Sequence, residues 1–386
     1  MNVLLLTQFF STTKGGGEYV FSLIAKMLAD SRNNVWVITN KIKGESYQSN
    51  KNINIIFVPP QIDYQGGLPS SFSENLRYSI NAIVKGVSLI RKEKMDIIHS
   101  NNFAPALAGS FLSTLTNKPH ITTVHDVFSL CGDNYWESWG KQTDVSKLSV
   151  KLAPFFEKMI LRLKHEAIHT VSETTKDDLI KFGAKKPIYV ISNTIQVNNT
   201  EERKPAPMQF IAIGRLVFYK NLEVVLKAIK IVKNKFPQIK LIVIGGGPYR
   251  KNLEKFSNEL EINENVEFTD YVSEEKKMEL LSSSQALLFP SLCEGFGLVI
   301  LEAFSQKKPV LVSDIPPLSE IVVNEENGYV IPPHDETEWA KKIIEIVENP
   351  ENANLMGQSG FRLLEKKYTH ANMLNYVLKM YDEIKR

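Results

Sequence analysis

Residues 286–302 read Ala-Leu-Leu-Phe-Pro-Ser-Leu-Cys-Glu-Gly-Phe-Gly-Leu-Val-Ile-Leu-Glu. Ala286–Phe289 is a short apolar strand that Pro290 stops. The turn after it carries Glu294, with Gly295 and Gly297 allowing the backbone a close approach. From Leu298 the pattern is helical, and Glu302 falls in the second turn. A helix N-terminus rich in glycine offers unpaired N–H groups and the positive end of the dipole, which suit a phosphate. Side chains on a helix lean toward its N-terminus, so Glu302 can reach back to the same place. Two carboxylates beside an anion cradle suit a ligand with hydroxyls on both sides of a phosphate, such as a nucleotide sugar.

The strand–turn–helix unit recurs along all 386 residues. Val3–Leu6, Val35–Thr39, Ile53–Val58, Ile97–Ser100, Ile121–Val124 and Ala167–Val171 read as strands. Helices over 17–29, 74–91, 104–116 and 174–182 fall between them. A second series has strands at Phe210–Ile213, Leu241–Ile244, Val266–Phe268, Ala286–Phe289 and Val310–Val312. Its helices are expected over 222–232, 251–260, 274–281 and 298–306, and two more close the chain at 336–347 and 371–384. Near-continuous apolar strands alternating with amphipathic helices predict an α/β protein built from two doubly wound, Rossmann-like domains. Residues 1–192 form the first domain and 208–368 the second. The polar stretch 193–207, ending in two prolines, is the expected linker. Two such domains facing each other leave a cleft at the carboxyl ends of their strands. The aromatic stretch Val127–Val150, with Tyr135, Trp136 and Trp139, looks less regular and fits a loop near that cleft or a packed excursion equally.

Composition is that of an ordinary globular protein, 43% hydrophobic and 23% charged. Two cysteines are too few for a disulfide framework, which fits a reducing compartment. The N-terminus lacks a basic region before its short apolar run, and no stretch approaches the length that spans a bilayer. The expected location is therefore the cytoplasm. The net charge of +3 conceals an asymmetry. Residues 1–200 hold 22 Lys+Arg against 16 Asp+Glu, a surplus of six positive charges, and the rest of the chain holds 24 against 27. The basic half either reflects scatter over solvated faces or attracts an anionic membrane surface or acidic acceptor. No nucleic-acid partner is indicated.

Other loops at predicted strand ends carry chemistry. Lys14-Gly-Gly-Gly-Glu18 follows the first strand but lacks the dinucleotide spacing and the later ribose carboxylate. It permits close approach of a phosphate or sugar, or simply makes a turn. His125-Asp126 ends a strand, where a ligand-facing role is favoured over a buried histidine; His99 and His120 receive no role. Gly214-Arg215 and Lys220 follow the first strand of the second domain, where two cations can clamp a diphosphate. Gly245-Gly-Gly247-Pro248 follows the next strand. No cluster has metal-ligand spacing.

In this order, these pieces resemble glycosyltransferase family 4 with the GT-B fold. The resemblance covers nearly the whole chain. Its most specific element is Glu294-Gly-Phe-Gly-Leu with Glu302, the E-x7-E signature; Ser313-Asp314 and Gly328 add support. It implies a retaining transferase that moves a sugar from a UDP- or GDP-linked donor to an acceptor hydroxyl on a growing polysaccharide, lipid-linked glycan or small glycoconjugate. Arg215 and Lys220 would neutralise the departing diphosphate, with Gly16, Gly17, Gly214, Gly247 and Tyr271 around the nucleotide and phosphates. The amides of Gly297, Leu298 and Val299 would assist, and Glu302 would hold the ribose. His125, Glu294, Gly295 and Phe296 would contact the donor sugar. Front-face attack needs no protein nucleophile, so Glu294 is not assigned as one. The nucleotide sugar is a co-substrate; no cofactor and no obligatory metal are expected. The last helix, within 369–386, would cross back to the first domain. Asp270 and Asn221 stand where relatives often have glycine. The rivals are a GT-B nucleotide-sugar epimerase and a non-catalytic nucleotide-sugar-binding protein.

Overall fold

The structure is a computed structural model, and it describes residues 1–11, 15–44, 47, 51–62, 72–132, 135–142, 147–197 and 206–385. Lys14 and most of the expected linker lie outside the described residues. The chain divides into two compact units. One comprises Met1–Gly140, Val145–Asn193 and His370–Arg386; the other comprises Lys141–Asp144 and Thr194–Thr369.

The first unit is built on seven strands: β1 (Asn2–Leu6), β2 (Asn34–Ile42), β3 (Ile53–Ile62), β4 (Ile97–Ser100), β5 (His120–Thr123), β6 (Ala167–Thr170) and β7 (Ile188–Val190). They pair in parallel in the order β3-β2-β1-β4-β5-β6-β7. The second unit holds β8 (Gln209–Ile213), β9 (Lys240–Ile244), β10 (Val266–Thr269), β11 (Ala286–Phe289), β12 (Val310–Ser313) and β13 (Gly328–Ile331). These are also parallel, in the order β10-β9-β8-β11-β12-β13. In both sheets the strand order therefore reverses beside the first strand, and a doubly wound sheet binds ligands outside the strand ends at that switch point. In the first unit the switch lies between β1 and β4; in the second it lies between β8 and β11.

Burial on both faces explains the apolar runs. Every residue of β4, β5, β6, β11 and β12 is buried. Helix Leu222–Lys233 buries Leu222, Val225, Leu226, Ile229 and Val232, the spacing of a single helical stripe, against the second sheet. Close backbone approaches require glycine at several positions of that unit, two of them in its packing layers. A Cβ on Gly328 would lie 2.2 Å from the Val310 carbonyl oxygen, and one on Gly357 would lie 1.9 Å from the Lys307 carbonyl oxygen.

The described residues of the stretch 127–150 form a packed excursion. A short turn Phe128–Leu130 is followed by helices Tyr135–Gln142 and Lys147–Ile160. Phe128 stacks on Tyr135 at 5.1 Å, and Tyr135 and Trp139 are buried. The Glu157 carboxylate accepts from the backbone amides of Phe128 (2.6 Å) and Ser129 (3.0 Å), tying helix Lys147–Ile160 to the turn.

Besides His370, five histidines lie within the first unit. His99 accepts or donates at both ring nitrogens, to the Tyr381 hydroxyl (2.6 Å) and to the Thr123 hydroxyl (2.7 Å), which also meets His169 Nδ1 at 3.0 Å. Tyr381 belongs to helix His370–Lys385, so this buried contact seats that C-terminal helix in the first unit. Lys385 adds an ion pair to Asp96 at 2.8 Å. His120 contacts Ser100 Oγ at 2.8 Å and the Lys164 carbonyl at 3.0 Å. Burial holds His120 and His165 near 4 and His169 near 3, so all three rings are neutral at neutral pH.

Candidate active site

In the second unit the strand ends around the switch point gather most of the expected residues. Gly214 and Arg215 leave β8. Lys220 ends the turn Phe218–Lys220, and Asn221 then opens helix Leu222–Lys233. Asn221 adopts the left-handed region at φ 54° and donates from Nδ2 to the Pro333 carbonyl at 2.7 Å. Asparagine is among the few non-glycine residues that enter this region readily, so it can occupy a position where relatives often carry glycine. Glu294 comes from the turn after β11 and forms an ion pair with Lys220. Both side chains are largely buried, at 17% and 14% exposure. Burial works to lower the Lys220 pKa, but the Glu294 carboxylate outweighs it and holds the ammonium above its ordinary value. Lys220 is thus a fixed positive charge. Its Nζ also lies 5.0 Å from the Phe289 ring centroid. Arg215 donates to the Tyr219 hydroxyl at 3.1 Å. A small pocket at the ends of β8 and β11 is lined by Gly214, Arg215, Lys220, Phe289, Pro290 and Ser291. Among the described residues the buried Ser291 hydroxyl has no hydrogen-bond partner.

The glycines hold these loops together. Gly245 is at φ 131°, and a Cβ there would lie 2.1 Å from the Gly214 carbonyl oxygen. Gly247, at φ 157°, packs the same way on the Leu216 carbonyl, at 2.3 Å. Gly247 therefore serves loop packing whatever it does for a ligand. A Cβ on Gly246 would meet only the Tyr271 ring, at 3.0 Å, and the Tyr271 hydroxyl donates to the Gly246 carbonyl at 3.3 Å. Tyr271 is 64% exposed. Asp270 is paired with Arg250.

Gly297 is left-handed (φ 94°) and starts helix Leu298–Ser305 with no side-chain cap. Gly297 has no side chain to cap the first amides of this helix, those of Leu298 and Val299, which suit an external acceptor. Phe296 is buried with its ring against Tyr368 at 5.8 Å, which leaves its backbone rather than its ring for a ligand. Gly295 is buried beside it.

Glu302 has a partner that sequence reasoning missed. Lys277 Nζ lies 2.9 Å from Glu302 Oε1 and 2.9 Å from Glu274 Oε2. Burial raises the Glu302 pKa, and Lys277 opposes that rise. Burial likewise disfavours charged Lys277, but Glu302 and Glu274 together hold it above its ordinary value. No spacing in the sequence links residues 25 positions apart; only the packing of helix Glu274–Ser282 against helix Leu298–Ser305 does.

In the first unit the structure brings Gly17, Asn101 and His125 together. A Cβ on Gly17 would lie 3.1 Å from His125 Nε2 and 3.7 Å from Asn101 Nδ2. His125 Nε2 contacts Asn101 Oδ1 at 3.1 Å. An amide oxygen only accepts, so Nε2 carries the proton and Nδ1 remains an acceptor. Burial holds the His125 pKa near 4, so the ring is neutral at neutral pH. Gly16 begins helix Gly16–Asp30, whose N-cap Gly15 is left-handed (φ 71°) and lacks a side-chain cap. Asn101 carried no sequence signal of its own. Among the described residues no group of three His, Cys, Asp or Glu side chains could hold a metal ion.

Two doubly wound parallel sheets, each with a glycine-opened helix among its strand-end loops, have the layout of a GT-B nucleotide-sugar glycosyltransferase, and the known proteins it resembles are of that class. Residues 14–199 match the model of Glycosyltransferase Family 4, and residues 195–362 match that of Glycosyl transferases group 1. The chain belongs to family 4. It is 26% identical to an uncharacterised glycosyltransferase of Methanocaldococcus jannaschii over 88% of both chains. It is 32% identical to the O-antigen chain mannosyltransferase RfbU of Salmonella typhimurium over 51% of this chain and 55% of that one. The fold is also that of the sucrose-phosphate synthase of Thermosynechococcus elongatus, at a TM-score of 0.80, 18% identity and 99% and 98% coverage. The epimerase and non-catalytic readings are not favoured. No described helix is long and apolar enough to cross a membrane.

Proposed function

We propose that this enzyme transfers a hexose-type sugar from a UDP- or GDP-linked donor to a hydroxyl of a growing polysaccharide or lipid-linked glycan, with retention and without a metal. The observation that carries the reading is the Lys220–Glu294 ion pair, with Arg215 lining the same pocket as Lys220 at the ends of β8 and β11 and Glu294 lying four residues before the start of helix Leu298–Ser305. As the donor bond breaks, negative charge gathers on the departing diphosphate. Arg215, the charged Lys220 and the amides of Leu298 and Val299 meet that charge, which lowers the barrier because they act most strongly in the transition state. Gly214 and Gly247 let the nucleotide side approach, and Tyr271 flanks it. Fixed cations take the place a divalent ion would otherwise fill.

Glu302 accepts from the ribose hydroxyls. Glu294 accepts from the donor sugar, with the amides of Gly295 and Phe296 beside it. Its ion pair with Lys220 joins the sugar and diphosphate subsites through one contact. In the first unit, neutral His125 accepts at Nδ1 from a sugar hydroxyl, and the Gly16-Gly17 turn leaves room for phosphate or acceptor. The acceptor proton leaves with the diphosphate oxygen on the same face, so no side chain forms a covalent intermediate. The basic surplus of the first 200 residues supports work at an anionic membrane surface on the cytoplasmic side.

The test is a pair of variants. Glu294→Ala abolishes transfer while nucleoside-diphosphate binding persists; Arg215→Ala weakens that binding as well. Unchanged transfer in Glu294→Ala would remove the role assigned to Glu294.

A further inference from the structure

The first unit exposes large apolar side chains in an ordered pattern. Along helix Phe72–Lys92, the exposed residues Phe72, Leu76, Ile80 and Val84 recur every four positions. Arg77 and Lys85 are exposed on the same helix next to that row. Helix Lys147–Ile160 repeats the arrangement with Leu148, Leu152 and Phe155 exposed and Lys147 and Lys151 beside them. The acidic residue of that helix, Glu157, points inward, where the Phe128 and Ser129 amides hold it. The exposed charges of helix Lys147–Ile160 are therefore all positive. The Phe72 and Phe156 rings lie 6.0 Å apart, so the start of the first helix and the end of the second are neighbours.

We propose that these two helices form an interfacial docking surface for an anionic lipid bilayer, with the apolar rows entering the headgroup boundary and the lysines meeting lipid phosphates. Single exposed apolar residues are ordinary; seven on two adjoining helices, edged by cations and with the one helix's carboxylate turned inward, are not. An amphipathic helix with a cationic polar flank lies in the membrane plane rather than across it. A protein partner would need matched carboxylates, whereas an anionic headgroup layer answers lysines on any register. Apolar burial and charge then act together, as stable surface attachment requires. This deepens the membrane part of the proposed function and rests on it.

Full-length protein is sedimented with vesicles of phosphatidylcholine alone and of phosphatidylcholine with phosphatidylglycerol. Binding to the anionic vesicles, weakened by salt, is expected. Lys147→Gln with Lys151→Gln should weaken it roughly 25-fold, about fivefold per basic residue. Leu148→Glu with Phe155→Glu should weaken it at least about tenfold, with an unchanged circular dichroism spectrum because both sites are exposed. Leu355→Glu, at an exposed leucine of the second unit, should bind as the parent does. Three outcomes overturn the proposal: no sedimentation of the parent protein, equal sedimentation of all variants, or a concentration-dependent dimer that the same substitutions abolish, which would assign the surface to a second copy. Sedimentation needs no catalysis, so its failure would leave nucleotide binding and sugar transfer, measured separately, standing.

Discussion

Gly245 and Gly246 are neighbours in sequence with opposite tolerance for a side chain. At Gly245 a β-carbon would sit 2.1 Å from the Gly214 carbonyl oxygen, a backbone atom that cannot swing aside, at φ 131°. A non-glycine residue held there costs about 1–3 kcal/mol in backbone strain, and forcing the two loops apart adds about 1–3 kcal/mol. The sum is roughly 2–6 kcal/mol, which for a unit of this size lowers Tm by about 4–24 °C. At Gly246 the nearest atom is Tyr271 Cε2 at 3.0 Å, the edge of a ring that is 64% exposed and tethered there by a 3.3 Å hydrogen bond to the Gly246 carbonyl. Gly246→Ala should therefore stay within about 1 kcal/mol of the parent. Scanning calorimetry of the two variants, following the transition of the second unit, provides the comparison. Titration with UDP and GDP extends it. Gly245→Ala moves the loop that carries Arg215 and should lose affinity, while Gly246→Ala reports on Tyr271 alone. Equal transition temperatures would refute the claim that the β8 and β9 loops lock against each other through Gly245.

Three further outcomes follow from the site. In its proposed ribose-holding role Glu302 must be ionised, and its pKa is raised by burial, so nucleotide affinity should fall on acidification starting above the ordinary glutamate range; Lys277→Met should move that acid limb to higher pH and Lys277→Arg should restore it, as titration at several pH values would show. Losing one partner of the Lys220–Glu294 pair leaves a desolvated charge, so Lys220→Met alone should cost about 3 kcal/mol, and Lys220→Met with Glu294→Gln less than the sum of the singles in a double-mutant cycle. Transfer measured after exhaustive chelation should equal that in added magnesium; a strict magnesium requirement would refute catalysis by side-chain cations alone.

The buried strands were legible because a parallel sheet covered on both faces demands unbroken apolar runs; β4 and β11 fall at the residues read from sequence. The weakest strands were not. β7 is three half-buried residues, and β13 opens on Gly328 and runs straight into two prolines, so neither was expected as a strand. Helix Lys147–Ile160 was hidden by Pro154 and by aromatic residues whose packing partners come from the preceding turn. At the site, glycines and charges next to strand ends were readable as local patterns. Lys277 and Asn101 were not, because each acts through a residue some 25 positions away that only the fold delivers.

The buried histidines of the first unit make it a proton-sensitive body. In an unfolded chain an imidazole takes a proton near 6.5, whereas His120 and His125 resist until about 4 and His169 until about 3. Unfolding at mildly acid pH therefore takes up protons, and stability falls as pH drops from about 6.5 toward 4. Each depression to about 4 corresponds to roughly 3 kcal/mol at the acid end. His334, the histidine of the second unit, faces solvent on a loop. Acid should then melt the unit that carries His120, His125 and His169 while the unit that carries the E-x7-E motif still holds its fold, so a protein docked as proposed would lose its hold on a membrane before it loses its second sheet.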